Sequence, residues 1–128
     1  MPKFATENIS LINAREVVEQ LIKDGIKVLD QFREDLNDTT YLSEFNTMIK
    51  YIEHAADGNS LPVTKMRKYS GSKDGTTEYE FKSKHLRLWA IQQPNKKIII
   101  FCGFKNSQPK DEKSFWTLKK QYLKSLEK

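Results

Sequence analysis

The run IIIFCGFKNSQPKDEKSF, residues 98–115, decides how the fold is predicted from this sequence. Its first five residues are apolar, and a short apolar run bounded by a turn signal is typical of a buried strand. The chain then turns at Gly103 and places polar side chains at positions 105–108. A core strand that ends in a lysine, two amides and a hydroxyl predicts a polar edge beside the core.

The wider composition is that of one basic domain. The chain has 128 residues, of which 38% are hydrophobic and 30% charged, and its net charge is +5. We therefore expect a single domain over residues 1–128. Residues 1–60 contain 6 Lys/Arg and 11 Asp/Glu, whereas residues 61–128 contain 16 and 6. This asymmetry favours a polyanion such as a nucleic acid as the partner of the second half, and the alternative is a solvated lysine surface.

Cysteine usage and the lack of long apolar segments favour a cytoplasmic protein. Cys102 is the only cysteine, so no disulfide can form within the chain, and His54 and His85 are not spaced as zinc ligands. The N-terminal residues lack a signal-peptide pattern, and no apolar run approaches the ~20 residues that span a bilayer. Phosphate-loop and dinucleotide motifs are also missing. We expect no cofactor, no metal and no membrane contact.

The first half of the chain predicts an N-terminal helical hairpin. Apolar residues at three-and-four spacing over 13–37 form one helical stripe. Gly25 either breaks this segment into two helices or is tolerated within one helix. A second stripe covers 41–56 and has helix-capping residues on both sides. A short strand over 8–12 precedes both helices in this prediction.

The second half changes to the two-residue period of strands. The patterns predict a weak strand, a three-stranded meander and a final helix, over 63–69, 76–82, 86–93, 97–104 and 111–126. Together the elements predict an α+β fold, in which the helical hairpin packs on one face of a small antiparallel sheet of three to four strands, with a C-terminal helix. The other face of the sheet is expected to carry polar side chains.

Basic residues gather on one hairpin of the predicted meander, namely Lys82, Lys84, His85 and Arg87. Pairing of the strands can bring positions 105–108 to the same edge of the sheet. Tyr79 and Trp89 supply aromatic rings on which nucleic-acid bases can stack. Such an edge could position a phosphate and neutralise developing charge without a metal. The alternative is that the lysine-rich hairpin is only a solvated face.

The order of these motifs resembles the RelE/ParE superfamily of bacterial toxins, and it is closest to the HigB-like, phage-derived branch. The matching segments are VLDQFREDL, AADGNSLP and EYEFKSKHLRLWAIQQPNKKIIIFCGFKNSQPKDEKSF, which lie between residue 28 and the C-terminus. The resemblance implies a RelE-like microbial ribonuclease-type fold. Residues 1–25 would then be an N-terminal extension of the usual family start, in which a strand leads straight into a helical pair.

The resemblance also implies a function, that of the toxin in a type II toxin–antitoxin pair. Such a toxin is a metal-independent, ribosome-dependent mRNA endoribonuclease, in which a base removes the 2′-OH proton and the oxygen attacks the adjacent phosphate. Arg87 would hold the scissile phosphate, Lys82 and Lys105 would add positive charge, and His85 or Glu80 would act as base or acid. The other residues expected to contact RNA are Lys84, Tyr79, Trp89, Asn106, Gln108 and Lys110.

The partners that the resemblance implies are mRNA, the ribosome and a cognate antitoxin, for which a helix-turn-helix protein is one type. Two alternatives keep a similar domain but change its activity. ParE-like members inhibit DNA gyrase instead of cutting mRNA. A non-catalytic module would bind RNA or protein through the same basic edge.

Overall fold

The computed structural model describes residues 2–69 and 74–127, which form one mixed sheet with helices on both of its faces. Seven strands and three helices lie in these residues. In chain order they are β1 Phe4–Asn8, β2 Val17–Lys23, β3 Ile26–Lys27, α1 Val28–Asp35, α2 Leu42–Ala56, β4 Met66–Lys68, β5 Thr77–Lys82, β6 Leu86–Gln93, β7 Lys96–Phe104 and α3 Gln108–Ser125. A short 3₁₀ turn, Lys105–Ser107, joins β7 to α3.

The strands are arranged in the order β1-β2-β7-β6-β5-β4, and β3 pairs only with the end of β2. Neighbouring strands are antiparallel except for β2 and β7, which run parallel over Val17–Gln20 and Lys96–Ile99. The sheet therefore has the predicted meander β5-β6-β7 at its centre and an N-terminal hairpin added beside β7. The parallel pairing of that hairpin makes the sheet mixed.

The prediction of an N-terminal helical hairpin on a three- to four-stranded antiparallel sheet is wrong. Most of the first half of the predicted helix over 13–37 is strand β2, and the helix proper begins only at Val28. Asp24 and Gly25 have φ angles of 51° and 83°. Two successive left-handed residues make the type of two-residue turn that joins hairpin strands, and Asp-Gly is one of its preferred sequences. The turn reverses the chain where a continuous helix was expected.

The side chain of Gln20 explains how α1 can start directly after this hairpin. Its Oε1 atom accepts hydrogen bonds from the backbone N–H groups of Leu29 and Asp30, both at 3.0 Å. These N–H groups lie in the first turn of the helix and have no partner within it. Gln20 is 1% exposed, so a buried polar side chain of β2 caps α1 and fixes the position of the helix over the sheet.

Most other elements follow the sequence patterns closely, but the first strand is Phe4–Asn8 and not 8–12 as predicted. The meander occupies 77–82, 86–93 and 96–104, and α2 occupies 42–56. The turn between β6 and β7 contains Pro94 and Asn95, and the φ of Asn95 is 62°. Pro followed by a left-handed residue is typical of a type II turn. Local turn chemistry therefore sets the register of the two central strands.

Both faces of the sheet are covered, contrary to the expectation of one polar face. Leu88 and Ala90 of β6 belong to a core cluster with residues of α1 and α2. Trp89 and Ile91, on the opposite face of the same strand, belong to a second cluster with Phe115 of α3. The final helix packs on the face that was predicted to be polar, and the central strand is consequently buried on both sides.

A β-bulge in β7 changes the face of the sheet on which the side chains at the end of this strand lie. Trp89 pairs with Phe101 but Ala90 pairs with Ile99, so Ile100 is an extra residue. Because of it, the consecutive residues Ile100 and Phe101 both pack in the α3 cluster. A bulge shifts the alternation of all residues after it. Cys102 and Phe104 consequently pack in the α1–α2 cluster.

Candidate functional site

The candidate site lies at the end of the sheet where β5 ends, β6 begins and β7 ends. Ser83 and Leu86 close the turn between β5 and β6 with a backbone hydrogen bond of 3.1 Å. The backbone N–H of Lys105 then donates to the carbonyl of His85 at 2.8 Å. The two polar segments that the sequence places on neighbouring strands are thus in direct contact.

A pocket of about 280 Å³ opens at this end of the sheet, and we call it the His85 pocket. Its lining residues are Tyr41, Lys84, His85, Phe104, Lys105 and Asn106. Four of them belong to the basic edge predicted from the sequence, and Tyr41 and Phe104 do not. Its volume is slightly below the range for ligand pockets, which is about 300–1,000 Å³. The size suits a single group of a longer chain better than an enclosed metabolite.

Aromatic rings form one wall of the His85 pocket. Tyr41, at the start of α2, contacts the His85 ring edge-to-face with 5.2 Å between ring centroids. It also contacts Phe104, at 5.5 Å. Edge-to-face rings of this kind fix each other's orientation. Phe104 is the last residue of the strand predicted over 97–104, whereas Tyr41 comes from a segment distant in sequence.

The carboxylate of Glu44 contacts both the ring and the backbone of His85. Nδ1 of His85 lies 2.9 Å from Oε1 of Glu44, and Oε2 of Glu44 accepts the backbone N–H of His85 at 2.8 Å and the hydroxyl of Ser83. The side chain of His85 is 44% exposed and that of Glu44 is 20% exposed. This pairing assigns the proton of Nδ1 to the Glu44 contact and leaves Nε2 for a ligand.

The pKa of Glu44 reflects these contacts. Partial burial raises the pKa of the Glu44 carboxyl, but hydrogen bonds from Ser83 and His85 outweigh it and hold the pKa below its ordinary value. The carboxylate is therefore charged at neutral pH and can stabilise an imidazolium on His85. Sequence reasoning missed Glu44, because the apolar stripe of α2 predicts only a packing surface.

Arg87, the predicted phosphate-holding residue, is turned into the protein. It is 6% exposed. Its Nε donates to Oε1 of Gln108 at 3.2 Å, and its Nη1 donates to the carbonyls of Ser83 and Leu86 at 2.6 and 2.8 Å. Burial lowers the pKa of the Arg87 guanidinium, while Glu80 and Glu44 oppose that change. Its observed role is to hold the turn that carries Lys84 and His85.

Beneath α3, Arg87 joins a set of polar residues that we call the buried network, consisting of Arg67, Tyr69, Glu80, Arg87, Trp89, Gln108 and Glu112. Glu80 is fully buried, and its Oε2 accepts from Gln108 Nε2 at 2.7 Å and from the Tyr69 hydroxyl at 3.3 Å. Arg67 bridges the two carboxylates of the network, with Nη2 2.7 Å from Glu112 and Nε 3.4 Å from Glu80. The network joins β4, β5, β6 and α3.

Two predicted roles are excluded by this burial. The Trp89 ring is fully buried and stacks on Phe115, with 6.2 Å between centroids, while its indole N–H donates to Tyr69 at 3.0 Å. It cannot stack on a base from solvent. Glu80 is equally inaccessible and cannot remove a proton from a ligand in the His85 pocket. Both predictions assumed an open face, and α3 covers that face.

The remaining predicted residues lie outside the pocket lining. Lys82 is half-buried at the end of β5, opposite Arg87. Tyr79 packs on the α1–α2 side, and the Lys97 ammonium lies 5.0 Å from its ring centroid. Gln108 belongs to the buried network, and Lys110 is exposed on α3. None of these four lines the same cavity as His85.

The described part of the chain contains no cluster of three or more His, Cys, Asp or Glu side chains that could hold a metal ion. Within the same residues, none of the helices combines the length and apolar character needed to cross a bilayer. No family model, curated protein or solved structure matches the chain.

Proposed function

We propose that the protein is a metal-independent endoribonuclease that acts on mRNA at the ribosome, as the toxin of a toxin–antitoxin pair in the cytoplasm. The observation that carries the proposal is the arrangement of the His85 pocket. A histidine backed by a carboxylate lies beside two lysines and two aromatic rings. This set supplies a proton acceptor, positive charge and stacking surface, which are the groups that RNA cleavage through the 2′-OH requires.

The chemistry can be assigned to atoms of the pocket. Nε2 of His85 accepts the 2′-OH proton while the 2′-oxygen bonds to the adjacent phosphorus and the bond from phosphorus to the 5′-oxygen breaks. The ammonium groups of Lys84 and Lys105 neutralise the phosphorane, and one of them protonates the departing 5′-oxygen. Glu44 stabilises the imidazolium that forms, as a carboxylate behind a catalytic histidine does in other enzymes.

The proposal changes the role that the resemblance implies for Arg87. Since its guanidinium donates to Gln108, Ser83 and Leu86, Arg87 is a positioning residue in this proposal. It fixes the turn from which Lys84 and His85 project. Lys105 keeps its implied role of charge stabilisation.

The test is cleavage of mRNA by the full-length chain, with ribosomes, in the presence of excess chelator. We expect His85→Gln to lower the cleavage rate by about 10²-fold or more, the usual contribution of a general base. His54→Gln is the matched control, because His54 is exposed on α2 and lies outside the pocket. Absence of cleavage by the wild type, or equal rates for the two variants, would contradict the proposal.

The burial of Arg87 favours a second candidate, a non-catalytic module that binds RNA through the His85 pocket. A central arginine that is 6% exposed cannot reach a scissile phosphate without moving. In this case the wild type binds RNA, His85→Gln binds almost as well, and no cleavage product forms with or without ribosomes. Binding and cleavage assays on the same two variants separate the candidates.

A further inference from the structure

A second concave surface lies along the free edge of β7, and we call it the β7 groove. It consists of two adjoining cavities of about 300 and 470 Å³. Lys23, Phe101 and Leu118 line both cavities. The groove thus runs from α1 past the end of the β2–β3 hairpin to α3. None of its lining residues belongs to the His85 pocket.

The groove follows a strand edge that has no partner strand in residues 2–69 and 74–127. The parallel pairing of β2 with β7 ends at Gln20 and Ile99. Beyond that point β3 turns back and pairs with Ile22 and Lys23 of β2, not with β7. From Ile100 to Phe104 the edge of β7 that faces away from β6 therefore lacks a neighbour. Such an edge offers backbone donors and acceptors to an added strand.

The first cavity of the groove is mainly apolar. Ile26, Val28, Phe101, Cys102 and Leu118 line it, together with residues of α1. Ile26 is 55% exposed at the tip of the hairpin. An exposed apolar side chain beside an apolar cavity is the arrangement expected of a surface that a partner covers.

The second cavity adds positive charge. Lys23, Lys110 and Lys113 line it, and Asp35 is the one acidic residue that lines either cavity. Opposite charges across an interface speed association and set specificity. The charge disfavours a second copy of this chain, whose net charge is +5.

We propose that the β7 groove binds an extended, acidic segment of a partner protein, which adds a strand to β7 from Ile100 to Phe104. Alternate apolar side chains of that segment occupy the cavity beside Ile26. Its acidic side chains face Lys23, Lys110 and Lys113. Main-chain hydrogen bonds supply affinity in this mode of recognition and the side-chain pockets supply specificity.

The test uses a displayed library of random peptides, selected on the full-length protein, with the best peptide then measured by fluorescence anisotropy. We expect selected peptides to combine apolar and acidic residues. Ile26→Arg and Lys113→Glu should each weaken binding at least about tenfold, whereas Val63→Arg and Lys120→Glu should change it less than about twofold. The controls are matched, because Val63 is 67% exposed, Lys120 is exposed on α3, and neither lines the groove.

A second arm tests strand addition itself. Methylation of alternate backbone nitrogens of the selected peptide should abolish binding in one alternation and leave the other nearly unchanged, because only one edge of an added strand bonds to β7. The proposal is overturned if no peptide is enriched over the Ile26→Arg protein, or if both alternations bind equally. It is also overturned if Ile26→Arg abolishes a dimer of the free protein, or if Lys113→Glu weakens RNA binding while peptide binding is unchanged.

Discussion

Two groups of charged residues lie at the same end of the sheet and differ in their burial and in the contacts that their charged atoms make. The buried network places Glu80 and Arg67 beneath α3, with Glu80 fully buried. The His85 pocket places Glu44 and His85 at the surface, with side chains that are 20% and 44% exposed. In the network each carboxylate contacts a guanidinium or several donors. In the pocket Lys105 is exposed, and among the described residues it makes no ion pair.

The difference teaches how to separate structural from functional charge in this fold. A charge that is removed from water must have its partners inside the protein, because its desolvation costs several kcal/mol. Glu80, for example, already accepts from Gln108 and Tyr69 and lies against Arg67. A charge at the edge of a cavity keeps its donors for a ligand. If the network serves stability and the pocket serves binding, substitutions in the two groups should change different measured properties.

The largest effect is expected for Glu80→Ala. Removing the Glu80 carboxylate leaves Gln108 without its buried acceptor and leaves Arg67 with Glu112 as its remaining carboxylate. The free energy of unfolding should fall by about 3 kcal/mol, since a buried polar group left without its partner costs about 1–3 kcal/mol and a charged one more. Urea denaturation measures this. Glu7→Ala is the control, since Glu7 forms an exposed pair with Lys27 at 3.0 Å and should cost less than about 1 kcal/mol. Equal costs for the two variants would show that the network contributes no more than a surface pair.

A smaller loss of stability is expected for Gly103→Ala. A Cβ atom at position 103 would clash with Oδ2 of Asp111, which also accepts the Ser107 hydroxyl at 2.5 Å. Overpacking of this kind costs about 1–3 kcal/mol. The contact fixes the start of α3, and with it Gln108, which links the network to Arg87.

A double substitution tests that explanation of the Gly103→Ala cost. In an Asp111→Ala background the clashing carboxylate is gone, so adding Gly103→Ala should cost much less than it does in the wild type. The coupling is the difference between the two costs, measured by urea denaturation of all four proteins. Additive costs would mean that Gly103 is required for another reason than its approach to Asp111.

The meander and α2 could be predicted from sequence because local patterns and burial agree there. The segment 17–23 could not, because Val18, Leu21 and Ile22 recur at helical spacing. The strand instead buries Val18 in one core cluster and Leu21 in the other. The deciding signal was Asp24-Gly25, a hairpin turn sequence that periodicity does not weigh. Gln20 also hid the strand pattern, because a polar residue in a sequence is expected to face solvent. In the structure Gln20 is buried and caps α1.

The candidate site was predictable only in part, for a similar physical reason. Adjacent strands bring together Lys84, His85, Lys105 and Asn106, and the order of the strands in the meander could be predicted from the sequence. Whether Arg87 faces solvent depends on which face of the sheet α3 covers, and no local pattern contains that choice. Glu44 depends on tertiary packing of α2. The sequence thus indicates which side chains lie at this end, but not which of them are buried.

A more modest effect, on binding and not on stability, is expected for Lys105→Ala. If Lys105 contacts a phosphate, the variant should bind single-stranded RNA more weakly across all sequences, and the slope of log affinity against log salt should fall by about 0.7. Its free energy of unfolding should stay within about 0.5 kcal/mol of the wild type, as for other exposed substitutions. Lys120→Ala on the exposed face of α3 is the control. An unchanged salt slope for Lys105→Ala would remove Lys105 from the binding surface.

The smallest effect concerns the pH dependence of stability at Glu44. Burial raises the pKa of Glu44, but the hydrogen bonds from Ser83 and His85 hold that pKa below its ordinary value. A carboxyl whose pKa is lower in the folded state stabilises the fold above the unfolded pKa, and this contribution is lost as pH falls through the folded pKa. The stability difference between wild type and Glu44→Gln should therefore shrink in acid, as the pH falls through the lowered pKa that Glu44 has in the folded state.

The size of that difference should be at most about 1 kcal/mol, because the pair is close to the surface. Glu34→Gln controls for the loss of one acidic charge, since Glu34 is exposed on α1. Urea denaturation across the acid range measures both. If the Glu44→Gln difference does not change with pH, the Glu44 carboxylate does not keep its contacts in solution. His85 would then lack the carboxylate contact that distinguishes it from an ordinary surface histidine, and the contrast between the pocket and the network would rest on burial alone.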